Sequence, residues 1–256
     1  MDFLSLLKQK RPFLGFFIQT ASPEFLEASA YAGFRFAAVD LEHAPYGTET
    51  LVQMIRAGEA AGLSVLARVP GLDAALIKRA LDMGASGIIV PNIDTAAQAA
   101  QAAALCRFTP EGIRGACPGV RANHYGAGGS EYYARKNRET AVIPLIESPA
   151  GVEHCEEILA TPGISALFLG PIDFSVAMGL RGDVDDPRVH ESLLRCIDLA
   201  KAAGIPVGAL STDPAFAGEM FRHGLDFLAC GIDTILMLNA CRRMRESMLP
   251  AAPDMI

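Results

Sequence analysis

Short runs of consecutive apolar residues recur along the chain, separated by longer stretches with helical features. The runs do not alternate apolar and polar positions, which indicates strands buried on both faces, as in a parallel sheet covered by helices. The eight runs are Phe13–Ile18, Phe36–Val39, Val65–Val69, Gly87–Val90, Val142–Ile146, Ala166–Leu169, Pro206–Leu210 and Phe227–Cys230. Eight strands alternating with helices favour an α/β fold of the closed (β/α)8 barrel type, with an open doubly wound sheet as the alternative.

Regular start and stop signals mark the helices between these runs. A serine or aspartate followed by proline predicts a helix start, because the side chain caps the helix and proline suits its first turn. A glycine just before the next apolar run predicts a helix end. The starts are Ser22-Pro23, Ser148-Pro149, Asp186-Pro187 and Asp213-Pro214, and the ends are Gly33, Gly62, Gly84, Gly204 and Gly224.

One segment, from about residue 108 to residue 140, interrupts this rhythm. It is rich in glycine and then polar, with a helix predicted near Glu131–Arg138. We predict one barrel domain over residues 1–256, with this segment as an insertion after strand 4. An insertion that follows a barrel strand lies on the catalytic face, so we expect it to face the substrate or to contact another subunit.

The composition narrows the choice of partners. A net charge of −7 argues against nucleic acid or an anionic membrane as a partner, but not against a small anionic substrate. The six cysteines are scattered, which predicts small buried thiols in a reducing compartment. Neither a signal peptide nor a membrane span is evident, so we expect a cytoplasmic protein.

Polar residues cluster where the predicted strands end, which is where barrel enzymes carry their chemistry. Side chains at these positions are expected to face one small volume. We expect Asp233, which precedes a helix, to act as a helix cap instead. The set is Gln19, Asp40, Glu42, His43, Arg68, Asn92, Glu147, Asp173, Ser211 and Asp233.

Glu147 and Asp173 follow neighbouring strands, so their carboxylates are close enough to share one ion. With no cysteine or histidine beside them, they favour a divalent cation that keeps some of its waters: Mg²⁺, Mn²⁺ or Co²⁺. No lysine ends a predicted strand, so a Schiff-base mechanism has no evident nucleophile. A barrel that enolises a ketoacid would then use the metal as its electron sink.

Other strand-end residues suggest how a substrate is bound and how a proton moves. Arg68 is suited to bind a carboxylate or stabilise an oxyanion, although it could instead only neutralise the acids. Asp40 could orient the imidazole of His43 to form an acid/base pair. Backbone amides in the turn at Gly170 and Pro171 could hold a substrate carboxylate.

Several motifs, taken together, resemble the HpcH/HpaI aldolase family of class II, metal-dependent pyruvate aldolases that act on 4-hydroxy-2-oxo acids. The likeness covers nearly the whole chain and implies a barrel of the phosphoenolpyruvate/pyruvate type. The motifs are Asp40-Leu41-Glu42-His43-Ala44-Pro45, Ala67-Arg68-Val69-Pro70, Leu81-Asp82-Met83-Gly84, Val90-Pro91, Gly112-Ile113-Arg114-Gly115, Ile146-Glu147-Ser148, Leu169-Gly170-Pro171-Ile172-Asp173-Phe174-Ser175 and Gly231-Ile232-Asp233-Thr234.

The resemblance implies a role for each matching residue. Glu147 and Asp173 would be the metal ligands, and Arg68 would bind pyruvate and stabilise its enolate. His43, paired with Asp40, would move protons through a metal-bound water. The substrate-binding residues would be Arg68, Gly170, Pro171, Ile172 and Leu210.

The resemblance also implies an assembly. Members of the family form hexamers, as trimers of dimers, and exchange a C-terminal helix that would here span Asp233–Met248. Asp82 matches a position that completes the site of a neighbouring subunit. The sequence departs from the family at Leu145, where members often carry glutamine, so a polar contact to substrate or water is missing here.

The expected reaction is therefore cleavage or formation of a 4-hydroxy-2-oxo acid from pyruvate and an aldehyde. We expect the insertion to line the aldehyde pocket, through Arg121, Asn123, His124 and Tyr125. Two alternatives stay open: an acyl-CoA lyase of the malyl-CoA type and a non-catalytic ketoacid-binding protein. A phosphosugar enzyme fits less well, because Asp213 and Asp233 would repel a phosphate at the usual barrel site.

Overall fold

A computed structural model describes residues 2–248, so the ends of the domain predicted over residues 1–256 lie outside the described residues. Its centre is a closed barrel of eight parallel strands in sequence order. They are β1 (Phe13–Ile18), β2 (Phe36–Asp40), β3 (Ser64–Arg68), β4 (Gly87–Val90), β5 (Ala141–Ile146), β6 (Leu167–Leu169), β7 (Val207–Leu210) and β8 (Phe227–Ile232). The (β/α)8 prediction is confirmed, and the doubly wound alternative is excluded because β8 pairs with β1.

Helices alternate with the strands. They are α1 (Phe3–Leu7), α2 (Pro23–Tyr31), α3 (Thr48–Ala61), α4 (Ala74–Met83), α5 (Ala96–Cys106), α6 (Glu131–Glu139), α7 (Pro149–Glu153), α8 (Cys155–Leu159), α9 (Pro171–Ala177), α10 (Pro187–Ala203), α11 (Pro214–His223) and α12 (Asp233–Met248). All the predicted serine and aspartate caps accept a backbone N–H at a helix start. All the predicted glycine ends have a positive φ. No helix among residues 2–248 is long and apolar enough to cross a membrane.

The apolar core has two layers. One lies between the strands and the surrounding helices, and the other fills the barrel itself. At the end where the strands begin, Phe3 of α1 packs edge-on against Phe13, Phe36 and Phe227. Gly208 makes room for this layer, because a Cβ there would lie 2.1 Å from the Phe227 ring. The barrel is thus plugged at one end, and only the carboxyl ends of the strands are left for a site.

The insertion lies elsewhere than the sequence suggested. It follows helix α5, not strand β4, so it starts and ends near the beginning of β5, at the plugged end of the barrel. There the Asn137 side chain bonds both backbone polar groups of Phe108, and Arg121 donates to the Met83 carbonyl at the end of α4, 2.8 Å away. The expectation that the insertion lies on the catalytic face is therefore wrong. The segment connects a helix to the next strand, and such connections lie at the end of the barrel where the strands begin.

The structure also bears on the predictions made for the cysteines and for the C-terminal helix. All six cysteines are free; Cys106, Cys155 and Cys196 are buried as expected, whereas Cys117 and Cys241 are exposed. Helix α12 has the predicted span, and from its third residue onwards it exposes several large apolar side chains. These are Ile235, Leu236, Met237, Leu238, Met244 and Met248.

Candidate active site

Strands β2 and β3 bring a buried ion pair to the open end of the barrel. Asp40 and Arg68 are the last residues of their strands and lie opposite each other in the register. The guanidinium donates from Nε to Asp40 Oδ1 at 2.9 Å and from Nη2 to Oδ2 at 2.6 Å. Such a two-point bond between charged groups fixes the orientation of the arginine. The face of the guanidinium also lies over the ring of Phe17, 4.7 Å from its centre.

The Asp40 carboxylate is fully satisfied within the chain. Gln19 Nε2 donates to its Oδ2 at 3.0 Å, and the backbone N–H of Glu42 donates to its Oδ1 at 3.0 Å. Burial alone would raise the pKa of Asp40, but the bonds and charge of Arg68, with help from Gln19, hold that pKa below its usual value.

Asp40 therefore does not orient the imidazole of His43, and that predicted pairing is wrong. Only the backbone N–H of His43 reaches Asp40, at 3.3 Å, because Arg68 occupies both carboxylate oxygens. The imidazole lies at the rim, 56 % exposed, with its Nε2 3.7 Å from Glu42 Oε2. Glu42 also lies 3.4 Å from Arg68 Nη1, and burial raises its pKa despite that neighbour. The carboxylate nearest the imidazole is thus that of Glu42.

Glu147 lies just after β5 and is buried, and no lysine or arginine among residues 2–248 forms a salt bridge with it. Its Oε1 accepts the backbone N–H of Asn92 at 2.8 Å. Burial first, and then the negative charges of Asp173 and Glu42, raise the pKa of Glu147 to about 7. Asp173 itself lies in the first turn of α9 and is exposed to the cavity and solvent.

The site residues line one cavity of about 210 Å³, which we name the inner cavity. Nine predicted site residues line it: Gln19, His43, Arg68, Glu147, Gly170, Pro171, Ile172, Asp173 and Leu210. Asp40 supports Arg68 from behind, and Asp82 is not among the lining residues. Sequence reasoning did not assign the apolar walls Phe17, Phe168 and Ile232. These residues could have been found from two features together: a position near the carboxyl end of a predicted strand, and a side chain that points into the barrel.

The carboxylate side of the inner cavity fits a divalent cation. A Cβ at Gly170 would lie 3.0 Å from Glu147 Oε2, so the glycine keeps this oxygen accessible. Within residues 2–248, no group of three or more histidine, cysteine and acidic side chains is arranged to hold a metal. Two carboxylates leave coordination positions for water and substrate, which is the usual arrangement for Mg²⁺.

Two other predicted residues have partners within the chain. Asp82, near the end of α4, accepts a hydrogen bond from the buried Arg114 of the insertion at 2.6 Å. Asp233 is more than a helix cap: its carboxylate accepts the backbone N–H groups of Gln19 and Thr20, at 2.8 and 3.0 Å, as well as that of Thr234. Asp233 therefore fastens the loop after β1 to the start of α12.

The four insertion residues expected near the aldehyde do not line the inner cavity. Arg121, His124 and Tyr125 line a separate surface depression beside Glu59, and Asn123 is buried and donates to the Pro118 carbonyl at 2.9 Å. This follows from the position of the insertion at the plugged end of the barrel.

Comparisons with known proteins agree with this architecture. The family model described as HpcH/HpaI aldolase/citrate lyase matches residues 14–240. The chain is 34 % identical to a 5-keto-4-deoxy-D-glucarate aldolase of Klebsiella pneumoniae, over 91 % of each chain. It is 36 % identical to a hydroxypyruvate/pyruvate aldolase of Paraburkholderia phytofirmans, over 93 % of this chain and 94 % of the other.

Solved structures give the same picture. A protein of the HpcH/HpaI aldolase/citrate lyase family from Burkholderia cenocepacia superposes with a TM-score of 0.90 at 34 % identity, over 95 % of this chain and 98 % of the other. An HpcH/HpaI aldolase from Desulfitobacterium hafniense superposes with a TM-score of 0.91 at 26 % identity, over 97 % of both chains.

Proposed function

Because the chain belongs to the HpcH/HpaI aldolase/citrate lyase family, we propose that it is a divalent-metal-dependent aldolase of 4-hydroxy-2-oxo acids. The family and the relatives make it a carbon–carbon lyase that acts on ketoacids. The products would be pyruvate and an aldehyde, and the reverse reaction would join them. The compound in one relative's name, 5-keto-4-deoxy-D-glucarate, is a 4-hydroxy-2-oxo acid when counted from its keto end.

One observation carries the proposal: the inner cavity has a fixed arginine on one side and an unpaired buried carboxylate on the other. A ketoacid presents a carboxylate and an adjacent oxo oxygen, which match a guanidinium and a cation respectively. Glu147 and Asp173 would hold the cation. When bound, it would supply Lewis-acid stabilisation of the negative charge that develops on the 2-oxo oxygen.

Arg68 would bind the substrate carboxylate with little reorganisation. Asp40 and Phe17 already hold it in place, so its orientation costs nothing when the substrate arrives. The amides of the α9 turn would assist. Gly170 already donates to the Ile146 carbonyl and Pro171 has no N–H, so the amides available are those of Ile172 and Asp173.

His43 would take the proton of the 4-hydroxyl group when the C3–C4 bond breaks. Its imidazole stands at the rim of the inner cavity, where the fourth carbon of a bound substrate would lie. Glu42, not Asp40, is the carboxylate beside it and would stabilise the protonated imidazole.

Pyruvate release from a simple 4-hydroxy-2-oxo acid tests the proposal. We expect turnover with Mg²⁺, Mn²⁺ or Co²⁺, its loss after chelation, and its return when metal is added back. Equal turnover with and without the chelator would contradict the metal-dependent mechanism. Turnover only with a malyl-CoA-type thioester would identify an acyl-CoA lyase, and ketoacid binding without turnover of any aldol would identify a binding protein.

The exposed face of α12 supports an assembly. Large apolar side chains such as Ile235, Met237 and Leu238 are exposed together on this one helix, and exposed apolar clusters often mark protein–protein contacts. We propose that α12 packs on a second copy in a hexamer, and that Asp82 reaches the neighbouring site while Arg114 holds it. Light scattering of the wild type and Leu238→Glu tests the assembly; an unchanged mass for the variant would contradict the role of this face.

A further inference from the structure

A second cavity, of about 370 Å³, adjoins the inner cavity. We name it the outer cavity. It shares four wall residues with the inner cavity: Pro171, Ile172, Leu210 and Ile232. The rest of its wall comes from three places: the loop before α10 with the first turns of that helix, the loop after β7 with the start of α11, and the junction of β8 and α12. Because the walls are shared, a molecule whose ketoacid end lies against Arg68 can extend into the outer cavity.

The outer cavity contains a histidine that the proposed chemistry does not use. The His190 ring stacks on the ring of Phe216, with 3.6 Å between centres and 5° between planes. Its Nε2 is buried and has no hydrogen-bond partner among the described residues. A buried imidazole nitrogen without a partner is costly in a folded protein, so a hydroxyl group of a ligand would be a favourable partner.

The charges around the outer cavity are of one sign. Asp185 and Asp213 line it, and among the described residues no lysine or arginine does. Asp213 caps α11 by accepting the N–H groups of Ala215 and Phe216, so the helix start partly offsets its charge. Asp185 is exposed at the wall, and no lysine or arginine in the described part of the chain forms a salt bridge with it. A second carboxylate on the substrate would therefore meet repulsion here.

Building on the proposed aldolase function, we propose that the outer cavity binds the aldehyde-derived part of the substrate and selects an uncharged, hydroxylated chain over one that ends in a carboxylate. His190 bonds a hydroxyl of that chain, and Asp185 repels an anionic end. In the joining direction, the pyruvate methyl group loses a proton, its carbon bonds the aldehyde carbon, and the aldehyde oxygen gains a proton. No oxidant, reductant or further reactant is needed.

Two aldehydes of equal length test this selection. Glyceraldehyde and tartronate semialdehyde share a three-carbon skeleton and differ only in a hydroxymethyl group against a carboxylate. Each is incubated with pyruvate, Mg²⁺ and the full-length protein, and kcat/KM is measured for the aldehyde. We expect the wild type to prefer glyceraldehyde by about tenfold or more.

Variants identify the residues responsible. We expect Asp185→Asn to raise kcat/KM for tartronate semialdehyde about threefold or more. Asp198→Asn is the matched control: it makes the same charge change on α10, the helix that follows Asp185, but Asp198 contacts His223 and does not line the cavity. We expect His190→Phe to lower kcat/KM for glyceraldehyde about fivefold or more, because the ring is kept and the hydrogen bond is lost.

Exchange of the pyruvate methyl protons with D₂O, followed by NMR, separates the possible failures. It needs no aldehyde, and each variant is normalised to its own exchange rate. The wild type could show metal-dependent exchange but no preference between the two aldehydes, or Asp185→Asn and Asp198→Asn could have equal effects. Either result would overturn only the selection by the outer cavity. Absence of metal-dependent exchange in the wild type would overturn the proposed function and this inference with it.

Discussion

The buried carboxylates on the two sides of the inner cavity differ in their bonding and in the direction in which their pKa is shifted. On the β2–β3 side, Asp40 is held by Arg68 and Gln19, and its pKa is lowered. On the β5–β6 side, Glu147 is bonded by a single backbone amide, and burial raises its pKa to about 7. Both carboxylates lie at strand ends in one barrel, so their position does not explain the difference. The difference lies in the bond to Arg68: the guanidinium bonds Asp40 directly, whereas its charge acts on Glu147 only from a distance and does not offset burial.

This contrast indicates a division of labour. One side is complete when the chain folds, and it fixes an arginine for the substrate. The other side is left with excess negative charge that folding does not neutralise, which suits a cation from solution. Mutations on the first side should therefore lower stability as well as activity, whereas mutations on the second side should lower activity with little loss of stability.

The largest effect is expected from Arg68→Met. This change leaves Asp40 buried without its cation, so the free energy of unfolding should fall by about 3–5 kcal/mol. Urea unfolding measures the loss. Arg188→Met is the matched control, because it breaks an exposed pair with Asp186 and should change the free energy of unfolding far less. Equal losses for the two variants would remove the distinction between the two sides.

Glu147→Gln should mainly affect activity. We expect kcat for pyruvate release to fall by about 10²–10³-fold, because a ligand of the charge-stabilising cation is lost. The free energy of unfolding in chelator should stay the same or rise, since a buried, unpaired carboxylate becomes a neutral amide. Glu153→Gln, an exposed change on α7, serves as the control. A marked loss of stability in chelator would contradict the contrast drawn here.

The smallest effect concerns the cation itself. At a hundredfold excess over its dissociation constant, Mg²⁺ or Mn²⁺ should stabilise the wild type by about 2.7 kcal/mol. Thermal unfolding with and without the metal measures this shift. The shift should vanish in Glu147→Gln and persist in Glu153→Gln. A shift of equal size in both variants would point to a different binding position.

Much of the fold could be read from the sequence because the barrel strands are buried on both faces. Runs such as Phe36–Val39 and Val142–Ile146 need no partner to be recognised, and proline and glycine mark the helices between them. The sequence also placed Arg68, Glu147 and Asp173 in one site, because the carboxyl ends of all the parallel strands lie at the same rim of the barrel.

The errors have a different origin. Asp40 and His43 are close in sequence, yet Asp40 binds Arg68, which lies 28 residues away and opposite it in the register. Spacing along the sequence does not show which of two basic side chains will bond a given carboxylate in the folded protein. The misplaced insertion has a similar cause: the short α5 helix is rich in alanine, and overlooking it moved the insertion to the wrong end of the barrel.

Asp233 links helix α12 to Arg68, the arginine that we propose binds the substrate. Its carboxylate holds the amide of Gln19, whose side chain donates to Asp40, which in turn grips Arg68. If α12 packs on a second copy, as we propose, this chain of contacts couples the assembly to the guanidinium. Dilution that separates the copies should then weaken ketoacid binding, so that the apparent KM rises as the enzyme is diluted.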